Sequence, residues 1–281
     1  MSVEVLTRVK GHYQNLRIID WRAYVAMVLF GYLLAGGLGI FYHQTTLYLM
    51  ITTSCYLAFA FSVNNCFDLK EDIKSGKTNN PIAGGLISFK EALMISMGTA
   101  ILGGVLSYIW FGGVPSLLFM LLLLLAFAYS VPPLRFKSRP PFDTLSHGLF
   151  FGALLFLFGF AVISEPSPTI LLIALSIFVY SITIELKNHI KDYYSDLSAG
   201  TITTACWIGI DKTRKLFRVL VYLHFFILVA LLYTFSRPIL LIILLIMLLI
   251  LIISPKIDER IPSTDVASLF AYLSLLPLYI F

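Results

Sequence analysis

Nine apolar stretches, most of them near the ~20 residues that cross a bilayer as a helix, leave this chain little choice of architecture. They run roughly over 22–41, 46–67, 88–111, 114–131, 143–163, 168–190, 215–235, 237–254 and 264–280. With 59% hydrophobic residues and a mean hydropathy of +0.90, polar side chains are too few to cover a soluble globule of 281 residues. The expectation is an all-α integral membrane protein with nine transmembrane helices.

The basic residues check that count independently, because Lys and Arg collect in cytoplasmic loops. Of the 20 Lys and Arg, 19 lie in or beside the N-terminal tail and the loops after the second, fourth, sixth and eighth apolar stretches, and Arg237 alone falls on the other side. A single domain spanning 1–281 follows, with tail 1–20 and loops 68–88, 132–142 and 191–214 on the cytoplasmic face. The cell membrane is the expected location. The first apolar run is long, lacks a convincing cleavage site and reads as a retained helix. The net charge of +5 and pI near 9.0 then reflect topology and call for no nucleic-acid partner. Cys55, Cys66 and Cys206 have neither zinc spacing nor an even count for pairing and read as small apolar filling.

Acid is scarce here, yet one pattern concentrates it twice. Asn-x3-Asp-x3-Asp-x3-Gly occurs as Asn64, Asp68, Asp72, Gly76 and again as Asn188, Asp192, Asp196, Gly200. Residues at i, i+4 and i+8 form one row along a helix, so each set can face a common ligand. Both sets sit at the cytoplasmic ends of apolar runs, with the glycine as a helix stop. Carboxylates at a helix C-terminus are unfavourable by ~0.3–1 kcal/mol each, and a bound cation reverses that sign. Hard oxygen donors without His or Cys suit Mg²⁺, which prefers one or two carboxylates plus substrate phosphates. A diphosphate bridged by Mg²⁺ between the two helices is the natural ligand. It needs positive charge as well. Lys77, Arg135, Lys137 and Lys191 are the expected donors, with Lys74, Arg139 and Lys187 nearby.

Asn64-Asn65-Cys66-Phe67-Asp68 through Asp72, Tyr129-Ser130-Val131-Pro132-Pro133-Leu134-Arg135-Phe136-Lys137, and Lys191-Asp192 through Asp196 resemble the motifs of the UbiA superfamily of intramembrane prenyltransferases. The resemblance implies helices around a central cavity. It makes Asn64, Asp68, Asp72, Asp192 and Asp196 the Mg²⁺ ligands and places the four aspartates at the chemistry. By the same resemblance Tyr129, Arg135 and Lys137 touch the diphosphate or order the loop above it. Asn64, Lys77, Asn188 and Lys191 are further expected substrate contacts. Asn65 stands where the family usually has Asp, and Asn80 stands before Pro81 where Arg is frequent.

The implied reaction moves an allylic prenyl group from a prenyl diphosphate to an acceptor, either an aromatic quinone precursor or a lipid. Membrane lipid is the surrounding partner. Tyr56, Phe59, Phe67 and Tyr193 lie close enough in sequence to the acidic sets to offer π-faces to an allyl cation. Arg17 and Arg22 are either interfacial anchors or contacts for an anionic acceptor head, Arg22 being the expected contact. Glu185 is a costly intramembrane carboxylate, expected to pair with Lys187 or Lys191, with a role as base on the acceptor also open. Two other functions fit parts of the pattern. A terpene cyclase would use the same acids without an acceptor. A cation transporter would need polar residues through the midplane, where the apolar runs offer few.

Overall fold

The computed structural model describes residues 3–74, 79–253 and 262–276. Within them lie helices α1 (Val3–Leu16), α2 (Arg22–Gly36), α3 (Gln44–Lys74), α4 (Phe89–Phe111), α5 (Gly113–Ser130), α6 (Phe142–Gly148), α7 (Leu154–Ala161), α8 (Pro168–Ala199), α9 (Thr204–Ile208), α10 (Ile210–Thr234), α11 (Pro238–Ile253) and α12 (Pro262–Leu275). A π-helical turn, Leu149–Ala153, joins α6 to α7. Every apolar stretch carries helix. Seven helical segments are long and apolar enough to cross a membrane, and the last two stretches form shorter apolar helices within the described residues. The chain is therefore a multi-pass membrane protein, with seven of the nine expected crossings supported by length.

Three boundaries differ from expectation, each for a local reason. The segment 1–20 is no extended tail, because its first part folds as α1 and packs against α3. The segment 68–88 begins as helix, since α3 runs on to Lys74 and carries Asp68 and Asp72 on its last turns. Residues 191–199 likewise belong to α8. In both helices a polar sequence continues an apolar one without any residue that would break the ladder of hydrogen bonds. Gly200, at φ 74, ends α8 as the spacing predicts. Its counterpart Gly76 lies outside the described residues, as does Lys77.

Helix starts are chemically marked. Ser88 and Glu91 form a reciprocal capping box on α4, and Ser167 followed by Pro168 opens α8. Two apolar cores meet along α7. Phe158, Leu155 and Leu154 pack with Val28, Tyr32 and Tyr56 of α2 and α3. Phe156 and Phe160 pack instead with Ile173, Ile177 and Phe225 of α8 and α10. Large apolar side chains such as Ile101, Tyr108, Leu117 and Phe226 face outward and are exposed, as lipid-facing positions must be.

Glycine makes the crossing of α2 and α7 a close one. A Cβ on Gly31 of α2 would come 2.1 Å from Phe156 O, and one on Gly159 of α7 would come 2.0 Å from Val28 O. Backbone therefore touches backbone, the small-residue packing typical of membrane helices.

Candidate active site

The face of α3 that bears Phe61, Asn64, Asp68 and Asp72 has spacings of three and four residues, so these side chains form one strip. Two cavities open along it. The outer one, of about 670 Å³, lies between Asn64, Asp68 and Asp72 of α3 and Tyr13, Arg17 and Asp20 of the α1–α2 corner, with Asn80 at its rim. The inner one, of about 290 Å³, is reached past Asn64, Asp68 and Arg17, which line both. Its walls are Tyr24, Phe61, Tyr129, Phe150 and Phe151, and its polar groups include Lys137, His147 and Glu185.

The loop after α5 closes the mouth. Lys137 forms an ion pair with Asp68. Arg135 reaches Glu71 Oε1 at 2.5 Å and Asp68 Oδ1 at 3.8 Å. Arg135 adopts a left-handed conformation, φ 38, and so does Arg17, φ 51. Non-glycine residues rarely take that region, and such outliers collect where geometry serves a site. Burial pushes the Lys137 amine down to about 7, while the Asp68 carboxylate against it favours the charged form.

On the first repeat, asparagines act as fasteners. Asn64 donates to Asp68 Oδ2 at 2.9 Å and accepts from Ser130 Oγ at 3.3 Å. Asn80, buried at the rim of the outer cavity, donates to Asp72 Oδ2 at 2.9 Å and to the Asn65 carbonyl at 2.8 Å. Asn65 donates to both Oδ1 and the backbone oxygen of Asn15, each at 3.1 Å, and Asn15 donates to Ser62 Oγ at 2.5 Å. The two departures from family habit thus bind α1 and the loop at Asn80 to α3.

On α8 the strip runs Glu185, Asn188, His189, Asp192 and Asp196, again at spacings of three and four. Glu185 is buried at the inner cavity. It pairs with His147 Nε2 at 3.6 Å and His189 Nε2 at 3.5 Å, and accepts from Tyr129 Oη at 3.2 Å and Asn188 Nδ2 at 3.2 Å. The expected pairing with Lys187 or Lys191 is corrected by helix geometry. Lys187 is two residues on and points away, whereas His189 is four on and faces the same way. Asn188, Lys191 and Asp192 are exposed and line neither cavity, and Asp196 is half-buried. Arg22 is exposed at the start of α2, and Arg17 is the arginine at the cavities.

The expected π-faces also move. Tyr56 and Phe59 are buried in the core, and neither they nor Phe67 and Tyr193 line the inner cavity. The signal for Phe61 was present, since it lies three residues before Asn64. Phe150 and Phe151 belong to the π-turn, whose offset turns them toward the cavity while the Phe150 carbonyl accepts from Tyr56 Oη at 3.0 Å. Asp143, His147 and His189 were missed altogether. The spacing of Asp143 and His147 on α6, and the position of His189 on the acidic strip, carried the only sequence signal.

Fold and site together define a multi-pass membrane protein whose charged mouth opens onto an aromatic-walled pocket inside the bundle. The model of the UbiA prenyltransferase family matches residues 24–276, and the chain belongs to that family. It is 30% identical over 209 residues to the digeranylgeranylglyceryl phosphate synthase of Sulfurisphaera tokodaii, covering 73% of this chain and 72% of that one. It is 28% identical over 168 residues to the lycopene elongase/hydratase of Halobacterium salinarum, covering 59% and 57%. A UbiA homologue from Archaeoglobus fulgidus, solved with GPP and Mg²⁺, shares the fold at a TM-score of 0.71 and 18% identity, over 95% of this chain and 99% of that one. A structure described for digeranylgeranylglyceryl phosphate synthase matches at a TM-score of 0.75 and 19% identity, over 95% and 98%. The protein is thus a membrane-embedded prenyltransferase.

Proposed function

We propose that this chain transfers a prenyl group from a prenyl diphosphate to a lipid acceptor, with Mg²⁺ holding the diphosphate at Asn64, Asp68 and Asp72. The observation that carries this reading is the placement of Asp68. It sits where a cluster of Lys137 and Arg135 meets the entrance of an aromatic-walled cavity, so a charged head and an apolar tail fit the same passage. The donors are all oxygen, as Mg²⁺ requires. Among the described residues no three His, Cys, Asp or Glu converge as a closed metal cage, and an ion held largely by substrate phosphates needs only one or two carboxylates. In this reading Asp192 and Asp196, which follow Glu185 on α8, would complete the site from a second helix once the diphosphate is bound.

When bound, the ion supplies charge neutralisation for departing pyrophosphate. The protein's own residues do the rest. Asp68 orients the head, Arg135 and Lys137 exchange their carboxylate partners for phosphate oxygens, and Asn188 and Lys191 receive the far side. Tyr24, Phe61, Phe150 and Phe151 keep water from the allylic carbon and present π-faces to its developing charge. Arg17, at the junction of the two cavities, offers a cation to an anionic acceptor head such as a glyceryl phosphate. That choice of acceptor class is supported by the digeranylgeranylglyceryl phosphate synthase relative. The site's basic loops face the cytoplasm in this reading, and the whole chain forms one transmembrane domain.

The test is incubation of purified protein with labelled geranylgeranyl diphosphate and a panel comprising geranylgeranylglyceryl phosphate, lycopene and 4-hydroxybenzoate, with and without Mg²⁺. Mg²⁺-dependent transfer to the glyceryl lipid is expected. Product formed without any acceptor would indicate a cyclase, and product formed equally in EDTA would sink the mechanism. In the same assay Lys137→Ala should raise KM for the prenyl diphosphate about tenfold or more, the loss of one charge-assisted contact of ~1.5–3 kcal/mol. An unchanged KM would remove Lys137 from the diphosphate site.

A further inference from the structure

Besides Asp68 and Lys137, the inner cavity holds a second group of ionisable side chains. Glu185 lies on its wall with His147 and Tyr129. Behind it, His189 Nδ1 stands 3.8 Å from Asp143 Oδ2. Asp143 is completely buried and accepts from the Thr204 backbone N–H and hydroxyl, both at 2.5 Å. Ser181 Oγ holds His147 Nδ1 at 3.2 Å. Polar groups therefore run from the cavity wall past the two imidazoles to the N-terminal end of α9, joined by hydrogen bonds from Thr204 to Asp143 but not between Asp143 and His189 Nδ1.

From this arrangement we infer that Glu185 is the proton acceptor of the transfer reaction, with His147 and His189 carrying the proton onward. The inference rests on the prenyl-transfer reading given above. During transfer the C1–O bond of the prenyl diphosphate breaks and its electron pair leaves on pyrophosphate. An electron pair of the acceptor forms the new bond to C1. The acceptor then holds one proton too many, and that proton goes to a Glu185 oxygen.

Several features select Glu185 among the groups facing the cavity. Asp68 is engaged at the mouth by Lys137 and Arg135. Lys137 and Arg17 are cationic, and Tyr129 already donates its hydroxyl proton to Glu185. Glu185 is partnered by two histidines rather than by Lys or Arg. An imidazole can take up a proton and pass it on near neutral pH, which a guanidinium cannot. Its position fits as well, since it lines the inner cavity together with the aromatic walls beside which the allylic carbon would lie.

The role predicts a separation between ionisation and transfer. In Glu185→Gln, with the acceptor of the panel that wild type uses best, transfer should fall about a hundredfold or more, the usual scale for a lost general base. KM for geranylgeranyl diphosphate and its Mg²⁺-dependent binding should stay within about threefold. Glu185→Asp should retain part of the activity, formate should partly restore Glu185→Ala, and His147→Asn should displace the pH profile of kcat. A Glu185→Gln enzyme that transfers within threefold of wild type with an unchanged pH profile overturns the assignment. So does a variant in which diphosphate binding collapses in step with turnover, since that marks a structural role. Wild-type protein that releases no pyrophosphate with Mg²⁺ would instead fail the prenyl-transfer reading itself, and the proton acceptor with it.

Discussion

Asp68→Ala is expected to lower Mg²⁺-dependent pyrophosphate release by roughly a hundredfold to a thousandfold, the scale on which a preorganised electrostatic contact to a transition state acts. The loss should exceed that of any other single change at the mouth, because Asp68 serves three functions there. It lines both cavities, accepts from Asn64, and holds Lys137 and Arg135 in place. Removing it takes away the proposed Mg²⁺ ligand and releases two cations from their common anchor. Pyrophosphate release at saturating Mg²⁺ and prenyl diphosphate measures the effect. Asp192→Ala, in the same assay, asks whether the exposed second strip is recruited when the diphosphate is bound. Full activity in both variants would remove the acidic repeats from the chemistry.

Gly159→Ala should cost the fold more than any conservative change elsewhere in the bundle. The added carbon would sit 2.0 Å from the Val28 carbonyl oxygen, and no rotamer change can relieve a clash with backbone. α2 and α7 would have to part. Overpacking in a dense interior costs about 1–3 kcal/mol, and a clash with the main chain of the facing helix belongs at the upper end or beyond. In detergent, thermal unfolding should drop by several degrees, about 2–4 °C per kcal/mol for a chain of this order of size. Gly98→Ala, where a new Cβ meets nothing within 4 Å, is the control and should leave the transition where it was. Equal stability in the two variants would mean that the α2–α7 crossing does not limit the fold.

How far the site could be read from sequence depended on whether its signal was periodic. The acidic rows were legible because spacings of four put them on one helical face, and Gly200 ends α8 where that pattern places it. The aromatic walls were misjudged because closeness in sequence was taken for closeness in space. Tyr56 and Phe59 are near Asn64 along the chain and still face the core, while Phe61 shares its strip. Phe150 and Phe151 reach the cavity through a π-turn, and a one-residue shift in helical phase leaves no compositional trace. Glu185 was visible as an isolated acid, yet its partners come from α6 and from its own next turn, so only folding brings them together. Helix α1 was read as a tail because short, mixed-polarity helices carry little hydrophobic signal. Asn15 shows what that reading lost, since it ties α1 to Ser62 and Asn65.

That asparagine clasp gives the two sides of the mouth different sensitivities to their surroundings. Lys137 and Arg135 hold their side through ion pairs with carboxylates that are partly open to water, and dissolved ions screen such pairs over a Debye length of about 8 Å at physiological ionic strength. Asn15, Asn65 and Asn80 hold the other side through neutral amides that are buried, which neither titrate nor gather counterions. Rising ionic strength therefore loosens the loop after α5 while α1 stays fastened, so the mouth is hinged on its uncharged edge and latched on its charged one.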